Sequence, residues 1–221
     1  MKFRNLVGVV AGMALCTTVA AAQVCQGDLS FRNSSTHVGA SLGLSDNSTS
    51  FGGGLTFGHA KGWFGGGSLG MSTFDNVDGH ALAVGGGIGY IMPQAKGQAW
   101  QMCPGATLSL GFGPNFDVGG NSTHFSSQTA ALGVSMGTVY PMSKKVNLLP
   151  FGSASFAHTR AAVKVNGAST SGSDSYLLLG FGAGFQLSPS LVVRPAMSLA
   201  AGSEAADDTF FSLGITWALR H

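Results

Sequence analysis

The chain has 221 residues and a formal net charge of +2; only 9% of its residues are charged, 44% are hydrophobic and 35 are glycine. A soluble domain of this size ordinarily carries about 25% charged residues, so the deficit argues against a surface turned wholly to water. No basic cluster is present to displace counterions from a phosphate backbone, which argues against a nucleic-acid partner.

Residues 1–22 read as a secretory leader. Lys2 and Arg4 form a short basic start, residues 5–15 an apolar stretch, and "VAAAQ" a small-residue cleavage site after Ala22. Cys16 is expected to leave with the leader, because Leu15 stands where a lipoprotein signal carries a small residue. Loss of Lys2 and Arg4 from the 11 basic residues leaves them level with the nine acidic ones. Beyond the leader no apolar run approaches the roughly 20 residues that a membrane helix needs. Residues 23–34 are expected to form a periplasmic N-terminal segment ahead of the first strand.

Ten strand candidates follow in chain order, at approximately 35–44, 48–59, 62–74, 79–91, 104–116, 123–140, 145–160, 174–187, 190–200 and 208–220. Most exceed the ~9–11 residues that cross a bilayer's hydrocarbon when tilted. The second to fourth carry a repeated motif, "FGGGLTFG", "FGGGSLGM" and "VGGGIGY". Its glycines are expected mainly on the inward parity, where a small barrel has little room. In the fifth, Ala106, Leu108, Leu110 and Phe112 alternate with Thr107, Ser109, Gly111 and Gly113. In the sixth, Ala130, Leu132, Val134 and Met136 alternate with Ala131, Gly133, Ser135 and Gly137. The seventh is blurred by Pro150 and by the run of Leu148, Leu149 and Phe151. The eighth sets Leu177, Leu179, Phe181 and Phe185 against Leu178, Gly180, Gly182 and Gln186. Pro195 in the ninth suggests a bulge or edge irregularity.

The last stretch, "TFFSLGITWALRH", is the most telling. Phe211, Leu213, Ile215, Trp217 and Leu219 share one face, while Ser212, Gly214, Thr216 and Ala218 share the other. A strand of this kind turns its apolar face to lipid and its small face to a lumen. The chain is therefore read as all-β, an up-and-down antiparallel transmembrane barrel of about ten strands, with eight as the alternative, over residues 35–221. It resembles the outer-membrane β-barrel superfamily, the small OmpA-like and porin-like barrels. Ser212, Gly214, Trp217 and Leu219 fit, in order, the C-terminal signal read by the barrel assembly machinery. The departure is that Arg220 and His221 follow where that family ends on Phe.

With a periplasmic C-terminus, connections near 45–47, 75–78, 117–122, 161–173 and 201–207 are expected outside. Those near 60–61, 92–103, 141–144 and 188–189 are expected on the periplasmic side. Asp46, Asp75, Asp78, Asp117, Asp174, Glu204, Asp207 and Asp208 then fall in or beside the first set, and Lys61, Lys96, Lys144 and Lys145 in or beside the second. The longest outer connection is expected at 161–173. Cys25 and Cys103 share the periplasmic side, where an oxidising compartment favours a disulfide. The disulfide is also expected to staple the long connection at 92–103.

Site candidates are few. His124 and Ser126 share an outward face, as in lipid-modifying enzymes that use a His-x-Ser pair. Ser127 stands where that family has asparagine, and no acid follows in the strand. Asp75, Asp78 and His80 gather at one turn without the spacing of the outer-membrane surface proteases. The histidines show no metal-ligand spacing, and no cofactor is implied. Arg194 is placed on a lumenal parity beside Ala196 and Ser198, where it needs carbonyl partners or water; the blander reading is a periplasmic rim residue. Trp63, Tyr90, Tyr140 and Trp217 suit an aromatic girdle at the membrane interface. The expected protein is a monomeric outer-membrane barrel and not an enzyme, with outer-membrane lipids, lipopolysaccharide and, during insertion, the assembly machinery as partners. Its expected role is structural, with a closed or very narrow lumen. A small-solute channel is the alternative, and a rim enzyme using His124 and Ser126 the remote one. A secreted soluble β-sandwich is the outside option.

Overall fold

Period-two alternation leaves each segment with one apolar and one small face, and only mutual pairing satisfies the backbone of strands placed in lipid. A computed structural model describes residues 24–31, 34–75, 77–94, 97–113, 116–118, 121–166, 168–202 and 209–219. The leader, Lys96, Glu204, Asp207, Asp208, Arg220 and His221 lie outside them. After a 3-10 turn at Val24–Gln26 come β1 (Thr36–Ser45), β2 (Ser48–Gly58), β3 (Gly62–Phe74), β4 (Val77–Ile91) and β5 (Gln101–Phe112). Then follow β6 (Phe116–Val118), β7 (Asn121–Gly137), β8 (Tyr140–Pro141), β9 (Asn147–Val165), β10 (Ala168–Ser188), β11 (Leu191–Ala201) and β12 (Thr209–Ala218).

Ten long strands form a closed antiparallel wall in the order β1-β2-β3-β4-β5-β7-β9-β10-β11-β12. Closure comes from the β7–β9 ladder, and β12 pairs with β1 from Phe211↔Leu44 to Ala218↔His37. The two short strands β6 and β8 are ladders on the ends of β7 and β9. The count is therefore ten, not eight.

Outward positions carry the large apolar side chains. Leu69 and Leu132 are each 69% exposed, and Phe57, Ile88, Phe156 and Phe211 are likewise open to the surroundings. That surface, unfavourable in water, is what a bilayer accepts. Most glycines of the repeated motif take inward positions, as expected: Gly52, Gly54 and Gly58 on β2, Gly66 and Gly70 on β3, and Gly85, Gly87 and Gly89 on β4. Consecutive glycines must alternate faces, so Gly53, Gly65, Gly67 and Gly86 take outward positions, opposite Leu69, Phe57, Leu55 and Leu108 respectively.

The irregularity expected at Pro195 is present on one side: the β10–β11 ladder skips from Gly182↔Ala196 to Phe185↔Val193, while Pro195 keeps register opposite Leu213 on β12, and a register shift lies between Gln186 and Ser188 beside the turn. One departure is local. The expected loop at 161–173 is instead paired strand. β9 and β10 continue to Val165 and from Ala168, opposed residue for residue, around a turn at Asn166 with φ +48°. Asn-Gly at 166–167 is the two-residue hairpin signal, and it lay unread in the sequence.

Candidate functional site

The site is the lumen, and one end of it is occupied by residues that the strand pattern left unassigned. Residues 24–31 are drawn into the end of the barrel where β1 begins and β12 ends. Cys25 is bonded to Cys103 on the inner face of β5, and both are fully buried. Phe31 stacks on His37, ring centroids 4.6 Å apart, and packs with Phe64 and Ile91. Leu29 packs with Leu149, Val192 and Ala218. These inward apolar residues explain the blurred alternation at 148–151: Leu149 and Phe151 face the segment, not an open lumen.

Glycines let the segment pass. Gly27 has φ +69°, and a side chain there would strike the Phe151 ring. A Cβ at Gly184 would collide with the Gly27 carbonyl oxygen, and one at Gly137 with that of Val24.

Arg194 lies inside this mouth, its side chain 15% exposed. It finds both a carbonyl and a carboxylate. Its Nη1 donates to the Gln26 carbonyl at 3.0 Å and stands 3.8 Å from Asp28 Oδ2. Asp28 is fully buried; it accepts from Thr216 Oγ1 and from the Leu29 N–H, each at 2.8 Å. The guanidinium also sits over the Phe151 ring, 5.8 Å from its centroid. A charge taken out of water needs such partners. Asp28 was overlooked because nothing in the 23–34 sequence marks a segment that folds inward.

Above the segment lies a cavity of about 200 Å³, lined by Thr107, Ser109, Ser153, Ser155, Ser198 and Ser212, with Gln26, Phe151 and Arg194 among its walls. The opposite end is crowded. Phe74, Ala81, Phe125 and Ala161 form one buried cluster, and Ala157, Tyr176 and Ala200 a second. A chain of hydroxyls, Thr129 to Thr159 at 2.8 Å and Thr159 to Tyr176 at 3.2 Å, runs along the inner wall from β7 through β9 to β10.

The other nominated residues lie along the wall, most of them on its outer face. Trp63, Tyr140 and Trp217 point outward at the end holding the segment, and Trp63 meets Tyr90 edge to face at 5.2 Å. Ser212 and Gly214 face the lumen while Trp217 and Leu219 are exposed. His124 and Ser126 are exposed on β7, and in the ladder His124 stands opposite Lys164. Asp75 is exposed at the β3–β4 turn beside His80; the Asp78 side chain lies outside the description. No group of three potential metal ligands occurs among the described residues.

The profile of the outer membrane protein beta-barrel domain family matches residues 8–217. No match was found among curated proteins. Among solved structures, the chain is similar to the attachment invasion locus protein Ail of Yersinia pestis, at 15% identity and a TM-score of 0.43, covering 84% of this chain and 97% of that one. It is also similar to the N-terminal barrel domain of Pseudomonas aeruginosa OprF, at 10% identity, 85% and 98% coverage and a TM-score of 0.37. A third is the β domain of the Bordetella autotransporter BrkA, at 12% identity, 85% and 100% coverage and a TM-score of 0.49. The profile match and the closed ten-stranded wall make this chain a member of the outer membrane protein beta-barrel domain family, resident in the outer membrane.

Proposed function

We propose that this protein serves the envelope as a closed, non-catalytic barrel whose lumen is stoppered at the periplasmic end by its own N-terminal segment. The observation that carries the reading is the burial of residues 25–31 in the mouth, held by the Cys25–Cys103 bond and the Asp28–Arg194 contact. The crowding of Phe74, Phe125 and Tyr176 at the other end supports the same conclusion. Ten strands are also few for an open pore, since eight are just filled by side chains and porins use about 16–18. In the β7–β9 ladder a lysine, Lys164, stands opposite His124, and no acid follows His124 on its own strand.

A narrow channel is the second reading. It draws on the hydroxyl-lined cavity and on Arg194, the charge that an anion would meet if the segment moved aside. Single-channel recording of the refolded mature protein in a planar bilayer tests both. Insertion is verified by heat-modifiable gel mobility. Silence of the disulfide-bonded protein is expected, with steps appearing in Cys25→Ser/Asp28→Ala. Stable steps in the unaltered protein would sink the closed-barrel reading.

A further inference from the structure

We propose that the outward face of the β7–β9–β10 extension binds a phosphorylated lipid of the outer leaflet, with Arg160 and Lys164 gripping its phosphates. The argument starts from parity. On β9, Ala157, Thr159 and Ala161 face inward and are buried, so His158, Arg160 and Lys164 face outward, and all three are exposed. Below them, Leu132, Phe156 and Leu177 form an outward apolar row across β7, β9 and β10. Immediately above it the side chains change character. His158 stands opposite Ser175, Arg160 between Gln128 and Ser173, and Lys164 between His124 and Ser169.

Among the described residues, Arg160 and Lys164 form neither ion pairs nor hydrogen bonds. Asp174 does not answer them, since it pairs across the sheet with inward Thr159 and accepts from the Ser175 N–H at 2.7 Å. Asp117 holds a register position on β6, which β7 separates from β9. His158 Nδ1 meets Ser175 Oγ at 2.8 Å, which leaves a hydroxyl-rich shelf beside the two cations.

Four residues of strand separate Arg160 from Lys164, roughly 13 Å. A disaccharide headgroup carrying a phosphate at each end bridges such a span. The occupant is an amphiphile because the cations continue the lipid-facing parity of the apolar row, four and eight residues above Phe156 on the same strand. Acyl chains can lie on Phe156 and Leu177 while phosphates meet Arg160 and Lys164. A soluble polyanion would use the upper half alone.

Native mass spectrometry of refolded, disulfide-bonded protein decides the matter, using micelles doped with bisphosphorylated lipid A, dephosphorylated lipid A or phosphatidylglycerol. Preferential retention of bisphosphorylated lipid A is expected, and soluble dextran sulfate should not displace it. Arg160→Gln/Lys164→Gln should weaken retention about 30-fold, or about fivefold per cation. Lys144→Gln/Lys145→Gln, at the periplasmic turn, should leave it unchanged. Equal retention of dephosphorylated lipid A, of phosphatidylglycerol, or by the Arg160/Lys164 variant would overturn the proposal, and so would displacement by dextran sulfate. The comparison of lipids on the unaltered protein stands even if the variant folds poorly.

Discussion

Asp28 and Arg194 show how a few atoms decide the character of the lumen. The carboxylate is fully buried and the guanidinium nearly so, and each completes the other's partners. Removing one member of such a pair strands the other, which costs about 3–5 kcal/mol, whereas replacing both with apolar groups is often close to neutral. Asp28→Ala should therefore lower the urea midpoint of the refolded protein markedly, and Asp28→Leu/Arg194→Leu should recover most of the loss. An unchanged midpoint for Asp28→Ala would show that the pair does not anchor the segment. Gly184 makes the second case. The Gly27 carbonyl occupies the space a side chain would need, so Gly184→Val should expel residues 24–31. Hydrogen exchange would show this as lost amide protection in that segment while the strands stay protected.

At the scale of elements, the β9–β10 hairpin extends beyond what a membrane requires. Its strands hold 19 and 21 residues, against the ~9–11 that span the hydrocarbon. Backbone pairing continues after the apolar face ends because it is independent of what the side chains meet. For this reason the Gly/Ser-rich stretch at 161–173 looked like a loop in the sequence, and it also hid Arg160 and Lys164 on the outer side of an apparently acidic surface. Deleting 162–165 together with 168–171, while keeping the Asn-Gly turn, preserves the pairing of Ala161 with Gly172. The shortened protein should still insert and show heat-modifiable mobility, and it should lose part of its lipid A retention along with Lys164. Failure to insert would mean that the extension takes part in assembly.

The whole molecule is a wall closed by β7–β9 and a mouth occupied by a segment 78 residues distant in sequence from its covalent partner. A crosslink closing a loop of that size contributes about 4 kcal/mol in the chain-entropy account. Cys25→Ser/Cys103→Ser should accordingly unfold at lower denaturant concentration than the disulfide-bonded protein. Thiol counting of the folded material supplies the direct check on pairing. Coincident unfolding curves would assign the stability to strand pairing alone.

Strand identity and facing were legible along the chain, and strand number as ten or eight, because they follow from local alternation: Phe211, Leu213, Ile215 and Trp217 announce a lipid face wherever the strand sits. The lumenal parity of Arg194 was equally legible, and the leader and paired cysteines pointed to the exported compartment. Its partners were not. Gln26 and Asp28 lie 168 and 166 residues away, on a segment with no periodicity to betray that it folds inward. The inward apolar residues Leu149 and Phe151 were visible as an irregularity, but their meaning depends on what covers them. Likewise, Asn-Gly marked a turn, while the register of Val165 with Ala168 decided that strands ran up to it. Alternation is a property of neighbours in sequence, and so the chain alone determined a wall of about ten strands, while the ladders decided ten against eight. The seating of residues 24–31 in the mouth is a contact between distant residues, and only the tertiary structure decided it.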